Sequence, residues 1–132
     1  MNFLPFHIVL MSTAFMLALA GGLIARFGKS RKWWLKAHKA LNISAAVIAL
    51  CGISMAVLMV QSYEGRHFSS VHGIIGLIAG VWLTLQAIAG WLMVQPIMAG
   101  SAKKTRFIHR WSGRFLSLVL LANIILGLSK IL

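Results

Sequence analysis

Three stretches of this chain, positions 1–25, 40–63 and 67–102, contain no charged residue at all. A helix crosses the hydrocarbon core of a bilayer in about 20 residues, so each stretch is long enough to span it. A fourth run, 115–129, is shorter and must borrow from the basic residues that precede it. In a chain of 132 residues this leaves short connections and no room for a separate soluble domain. Composition agrees: 60% of the residues are hydrophobic and only 11% charged, well outside the balance of a water-soluble domain. The fold expected is all-α: an integral membrane four-helix bundle, up-down-up-down, forming one domain over 1–132. Its helices are predicted at about 3–27, 34–62, 70–95 and 106–130. Gly28, Lys29 and Ser30 punctuate the first turn, and Pro96 stops the third helix by removing a donor. Ala18, Leu19 and Ala20 resemble a signal-peptidase site, but no Lys or Arg precedes that apolar run, and the first helix is expected to be retained.

The net charge of +12 would suit a nucleic-acid binder if it formed one basic face. It is sorted by loop instead. Arg26, Lys29, Arg31, Lys32, Lys36 and Lys39 surround the first connection, and Lys103, Lys104, Arg106, Arg110 and Arg114 the third. The opposite side carries only Arg66 and Lys130. This positive-inside asymmetry puts both termini on the non-cytoplasmic side, with a bacterial inner membrane as the expected setting. Anionic lipid head groups are the expected partner of the basic rim, and nucleic acid is not a partner. Cys51 is alone, which excludes a disulfide framework or a thiolate cluster; it reads as a small buried packing residue.

Four histidines stand near the start of the four helices: His7, His38, His72 and His109. The first and third helices run the same way, so His7 and His72 come to the outer side, while His38 and His109 meet near the cytoplasmic side. An ionisable side chain within a membrane span is costly and marks function by default. Ligation of haem iron by two imidazoles removes that cost, since one ring nitrogen binds iron and the other donates to a carbonyl. Small residues follow each histidine at helical spacing: Ala14, Ala18 and Gly21; Asn42, Ala45, Ala49 and Gly52; Gly76, Ala79, Ala87 and Gly90; Gly113, Ser117 and Gly127. They leave room for a flat macrocycle, and Gly21, Gly52, Gly90 and Gly127 fall at the depth of the other haem. Single histidines and Gly/Ala stripes also serve helix packing, but packing histidines have no reason to pair by depth. The seven Met show no such pairing. Lys39 and Arg110, each beside a histidine, are candidates to neutralise haem propionates. His67, in the outer loop, is either solvated or near the outer haem.

These residues resemble the cytochrome b561 core. The resemblance is carried by Gly22-Leu23-Ile24-Ala25-Arg26, Trp34-Leu35-Lys36-Ala37-His38, Val71-His72-Gly73-Ile74-Ile75-Gly76, Ile108-His109-Arg110-Trp111-Ser112-Gly113-Arg114 and Asn123-Ile124-Ile125-Leu126-Gly127-Leu128, in order over nearly the whole chain. It implies two b haems, one on His7 and His72 and one on His38 and His109, passing electrons from a donor on one side to an acceptor on the other. The Arg26 region is closer to the DOMON-linked forms than to the six-helix ascorbate reductases, so a separate haem or DOMON partner is an expectation and ascorbate a doubtful donor. The alternative function is an accessory structural subunit of a larger respiratory or photosynthetic complex. A proton or metal transporter would want carboxylates, and Glu64 is the only acid.

Overall fold

The computed structural model describes residues 2–63, 69–95 and 102–131. It contains four helices: α1 (Leu4–Phe27), α2 (Trp34–Ser62), α3 (Val71–Leu92) and α4 (Ala102–Leu128). All four are long and apolar enough to cross a membrane. Local chemistry sets their ends. Pro5 lies in the first turn of α1, where a missing N–H costs no intrahelical bond. Gly28 closes that helix by donating to the Ile24 carbonyl at 2.7 Å. Ser70 caps α3, its hydroxyl accepting from Gly73 N at 3.1 Å. The hydroxyls of Ser54, Ser62, Thr84 and Ser117 each donate to the carbonyl four residues back, which satisfies them without water.

Two boundaries differ from the sequence expectation. Helix α4 opens at Ala102 rather than near 106, because Lys and Arg are good helix formers and carry the helix past the membrane edge. Helix α3 ends at Leu92 rather than 95, and Met93 to Gln95 form turns. Gln95 precedes a proline in the sequence, and that position disfavours helical backbone. Pro96 itself, like Glu64, Arg66 and His67, lies outside the described residues.

The helices close a ring. Helix α1 lies closest to α2, α3 packs on both α2 and α4, and α4 returns to α1; the diagonal pairs α1/α3 and α2/α4 barely touch. Small residues make the interior. Ala14, Ala18 and Gly21 are buried on α1, Ala45, Ala46, Ala49 and Gly52 on α2, and Ala79, Gly80 and Leu83 on α3. Leu116, Leu120 and Asn123 complete it on α4. Among the described residues no large side chain is fully buried.

The bulky residues point outward instead. Phe6, Val9, Met16, Val47, Ile78, Leu85, Phe115, Leu118 and Ile125 are among many large apolar side chains more than 45% exposed. Each one left in water forfeits about 1.5–3 kcal/mol, and a folded domain is stable by only about 5–15 kcal/mol. Lipid is the solvent that resolves this arithmetic, and the chain is an integral, multi-pass membrane protein. Cys51 joins the outward set: it is free and exposed, not buried as expected. With Ala45, Ala49 and Gly52 turned inward, the helical phase leaves position 51 beside Val47 and Leu50 on the lipid side.

Candidate functional site

The ring order puts two histidine pairs on the diagonals of the bundle. His7 on α1 faces His72 on α3, with ring centres 6.2 Å apart and planes at 88°. His38 on α2 faces His109 on α4 at 6.3 Å and 86°. An imidazole nitrogen binds a first-row metal at about 2.0 Å and lies about 1.1 Å from its own ring centre, so two imidazoles trans on one iron stand about 6.2 Å apart. Both observed separations match. A bare ion would need more ligands, and among the described residues no three His, Cys, Asp or Glu side chains converge. Two axial nitrogens are the set wanted by an iron whose other four ligands come from a macrocycle, and the residues therefore fit a haem.

Three of the rings are held through Nδ1. His7 donates to the Gly52 carbonyl at 2.8 Å, His38 to the Gly21 carbonyl at 2.8 Å, and His72 to the Asn123 carbonyl at 3.0 Å. A carbonyl only accepts, so Nδ1 carries the proton and the Nε2 lone pair is left for a metal. The Asn42 amide lies 3.2 Å from His38 Nδ1, but two donors make no bond; its real acceptor is the His38 carbonyl at 2.8 Å.

The acceptors obey one rule. Gly21 stands fourteen residues after His7, Gly52 fourteen after His38, and Asn123 fourteen after His109. In each antiparallel hairpin, a histidine bonds to the carbonyl fourteen residues beyond its neighbour's histidine. Fourteen residues of helix rise about 21 Å, so the two pairs are about 21 Å apart along a core about 30 Å thick.

Gly127 and Gly90 lie against histidine rings, and Gly52 and Gly21 against side chains of the neighbouring helix. A Cβ on Gly127 would come within 2.7 Å of His72 Cε1, and one on Gly90 within 3.1 Å of His109 Cε1. One on Gly52 would meet Met11 Sδ at 2.7 Å, and one on Gly21 would strike the Asn42 amide. Contact between protein groups thus disfavours a side chain at these positions, least at Gly90 and at Gly52, where a flexible methionine is the neighbour. Lys39 is half-buried and Arg110 exposed; each follows its histidine by one residue, about 100° round the helix. Arg114 lies over the Trp111 ring at 4.8 Å.

Sequence reasoning gave no role to three polar residues, two of which, Ser112 and Asn123, it quoted only within the family resemblance. Asn123 is 5% exposed, and its Oδ1 is buried without a partner. Gln86 Nε2 donates to the His109 carbonyl at 2.6 Å, and Ser112 Oγ donates to Gln86 Oε1 at 3.1 Å. The spacing of fourteen was the available signal, since Gln86 and Asn123 occupy after His72 and His109 the places that Gly21 and Gly52 occupy after His7 and His38.

The family described as eukaryotic cytochrome b561 matches residues 6–132. Transmembrane reductase CYB561D2 of Homo sapiens is 28% identical over 134 residues, covering 95% of this chain and 60% of the relative. The protein of the same name from Mus musculus is 28% identical over 131 residues, covering 92% of this chain and 59% of the relative. The chain therefore spans about three-fifths of the length of the curated relatives it matches. These relatives are mammalian, and they support neither the bacterial setting nor the closeness to DOMON-linked forms expected from sequence. No solved structure matches the chain.

Proposed function

The chain belongs to the cytochrome b561 family, and on that premise we propose that it carries electrons across a membrane through two b haems, each held between paired histidines. His7 and His72 hold one, His38 and His109 the other. The observation that carries this reading is the separation of the imidazoles, 6.2 and 6.3 Å between ring centres, which would let each pair hold one haem iron between its two rings. Bound haem supplies the one-electron chemistry, alternating between ferric and ferrous iron.

The chain's own residues supply ligation, orientation and dielectric. Main-chain carbonyls of Gly52, Gly21 and Asn123 keep three rings in the tautomer that offers Nε2, and such a bond raises the basicity of a ligand. The alanine and glycine interior excludes water and keeps side chains out of the space between the diagonals. Lys39 and Arg110 are the candidate partners of propionates at the pair they flank. With the basic connections in the cytoplasm, His38 and His109 form the cytoplasmic-side pair, both termini lie on the other side, and anionic lipids meet the basic rim. The relatives are named transmembrane reductases, and by that likeness the electron leaves to an acceptor that this chain helps to reduce.

Vesicles test this. The haem-loaded chain is placed in liposomes that enclose ferricyanide, and an impermeant reductant is added outside. The expected result is bleaching of the enclosed ferricyanide only where the chain is present, abolished by His38→Ala. Equal bleaching with and without His38 contradicts the proposal.

A further inference from the structure

Of the four imidazoles, that of His109 alone buries its Nδ1 without a hydrogen-bond partner. The rule of fourteen calls for the main-chain carbonyl of Gln86 as acceptor, since Gln86 stands to His72 as Asn123 stands to His109. That bond is not made. The relation is reversed: the Gln86 side chain reaches α4 and donates through Nε2 to the His109 carbonyl at 2.6 Å. Its Oε1 accepts from Ser112 Oγ at 3.1 Å, and Ser112 Oγ accepts from Trp82 Nε1 at 2.8 Å. Trp82 and Gln86 lie one turn apart on α3, and His109 and Ser112 one turn apart on α4, so the relay pins the two helices beside the ring. Gly113 makes room for it, because a Cβ there would lie 2.9 Å from Gln86 Nε2.

The torsion that turns an imidazole about its stem is broad, with no sharp staggered wells. At His7, His38 and His72 a carbonyl fixes that rotation. At His109 the angle depends on where the main chain holds the residue and on the bare face of Gly90, whose Cβ would lie 3.1 Å from Cε1. We propose that Gln86 is a positioning residue of the cytoplasmic-side pair: its amide, aimed by Ser112 and Trp82, holds the His109 main chain and so fixes an imidazole that no carbonyl holds. This rests on the reading of the paired histidines as haem ligands.

The test uses the full chain, purified with haem and oxidised. The angle between the two imidazole planes of a pair shapes its low-spin ferric resonance, and the two pairs start from nearly equal angles, 88° and 86°; His7→Ala therefore leaves the cytoplasmic-side signal to be read alone, and His109→Ala the other. In Gln86→Leu the expected result is two haems per chain, with the cytoplasmic-side signal displaced and the other unmoved. Ser112→Ala leaves the amide in place but removes the group that aims it, and is expected to displace the same signal by less. It decides the matter alone if Gln86→Leu does not fold. Both signals unmoved, or both moved together as in a general loosening, overturns the inference while leaving the haem reading intact. Fewer than two low-spin haems per chain in the unaltered protein overturns that reading and this inference with it.

Discussion

A main-chain carbonyl on Nδ1 does two things for an imidazole inside a membrane: it satisfies the donor, and it decides which nitrogen remains to meet a metal. Because the supporting carbonyls and bare glycine faces come from the neighbouring helix, single substitutions should act on one pair at a time. His38→Ala, His109→Ala and the double variant should each lower the haem content from two per chain to about one, with the double no lower than either single. A haem-to-protein ratio measured after extraction checks this, and a double variant with no haem would mean that the two residues serve different haems. Gly127→Ala places a methyl group 2.7 Å from His72 Cε1, whereas Gly22 has nothing within 4 Å of its Cβ position. Gly127→Ala is therefore expected to lower occupancy of the His7/His72 haem, and Gly22→Ala to leave both haems in place. Equal behaviour of the two variants in the same assay would contradict the close packing of ring on glycine.

Helix pairs carry the next level. Gly80 on α3 packs against Ile53 on α2, away from any histidine, and a Cβ there would strike the Ile53 side chain. Gly80→Leu should cost about 1–3 kcal/mol by overpacking and lower the thermal midpoint of the whole bundle, both haem signals being lost together on heating. Loss of one signal before the other would show that the hairpins unfold separately. At this level the sequence is only partly legible. The spans themselves follow from the charge-free runs, because in lipid a lone apolar segment of that length satisfies its own backbone groups only as a helix. Their ends are less legible: Lys103, Lys104 and Arg106 look like a loop by charge, yet they extend α4. Depth pairing of the histidines could be read from helix direction, and the structure brings His7 to His72 and His38 to His109. The acceptors of Nδ1 could not, because a carbonyl has no letter in the sequence. Gln86 and Asn123 were given no role for a related reason: the search along the histidine faces looked for small residues that leave room, and neither residue at the offset of fourteen is small.

The whole molecule has an inverted plan, with alanine and glycine inside, bulky apolar side chains outside, and eleven basic residues gathered at one end. That gathering is what the proposed orientation in the membrane rests on. In a Cys51→Ser background, single cysteines placed at Asn2 and at Ser30 should react with an impermeant thiol reagent from opposite sides of sealed vesicles. Labelling from the same side would contradict the up-down threading. The central claim, that paired imidazoles hold two haems in this scaffold, is tested most directly by the optical spectrum of the purified, dithionite-reduced chain together with a haem count. The expected result is a low-spin b-type spectrum at two haems per chain. Protein prepared from haem-sufficient cells that is folded and free of haem would contradict it.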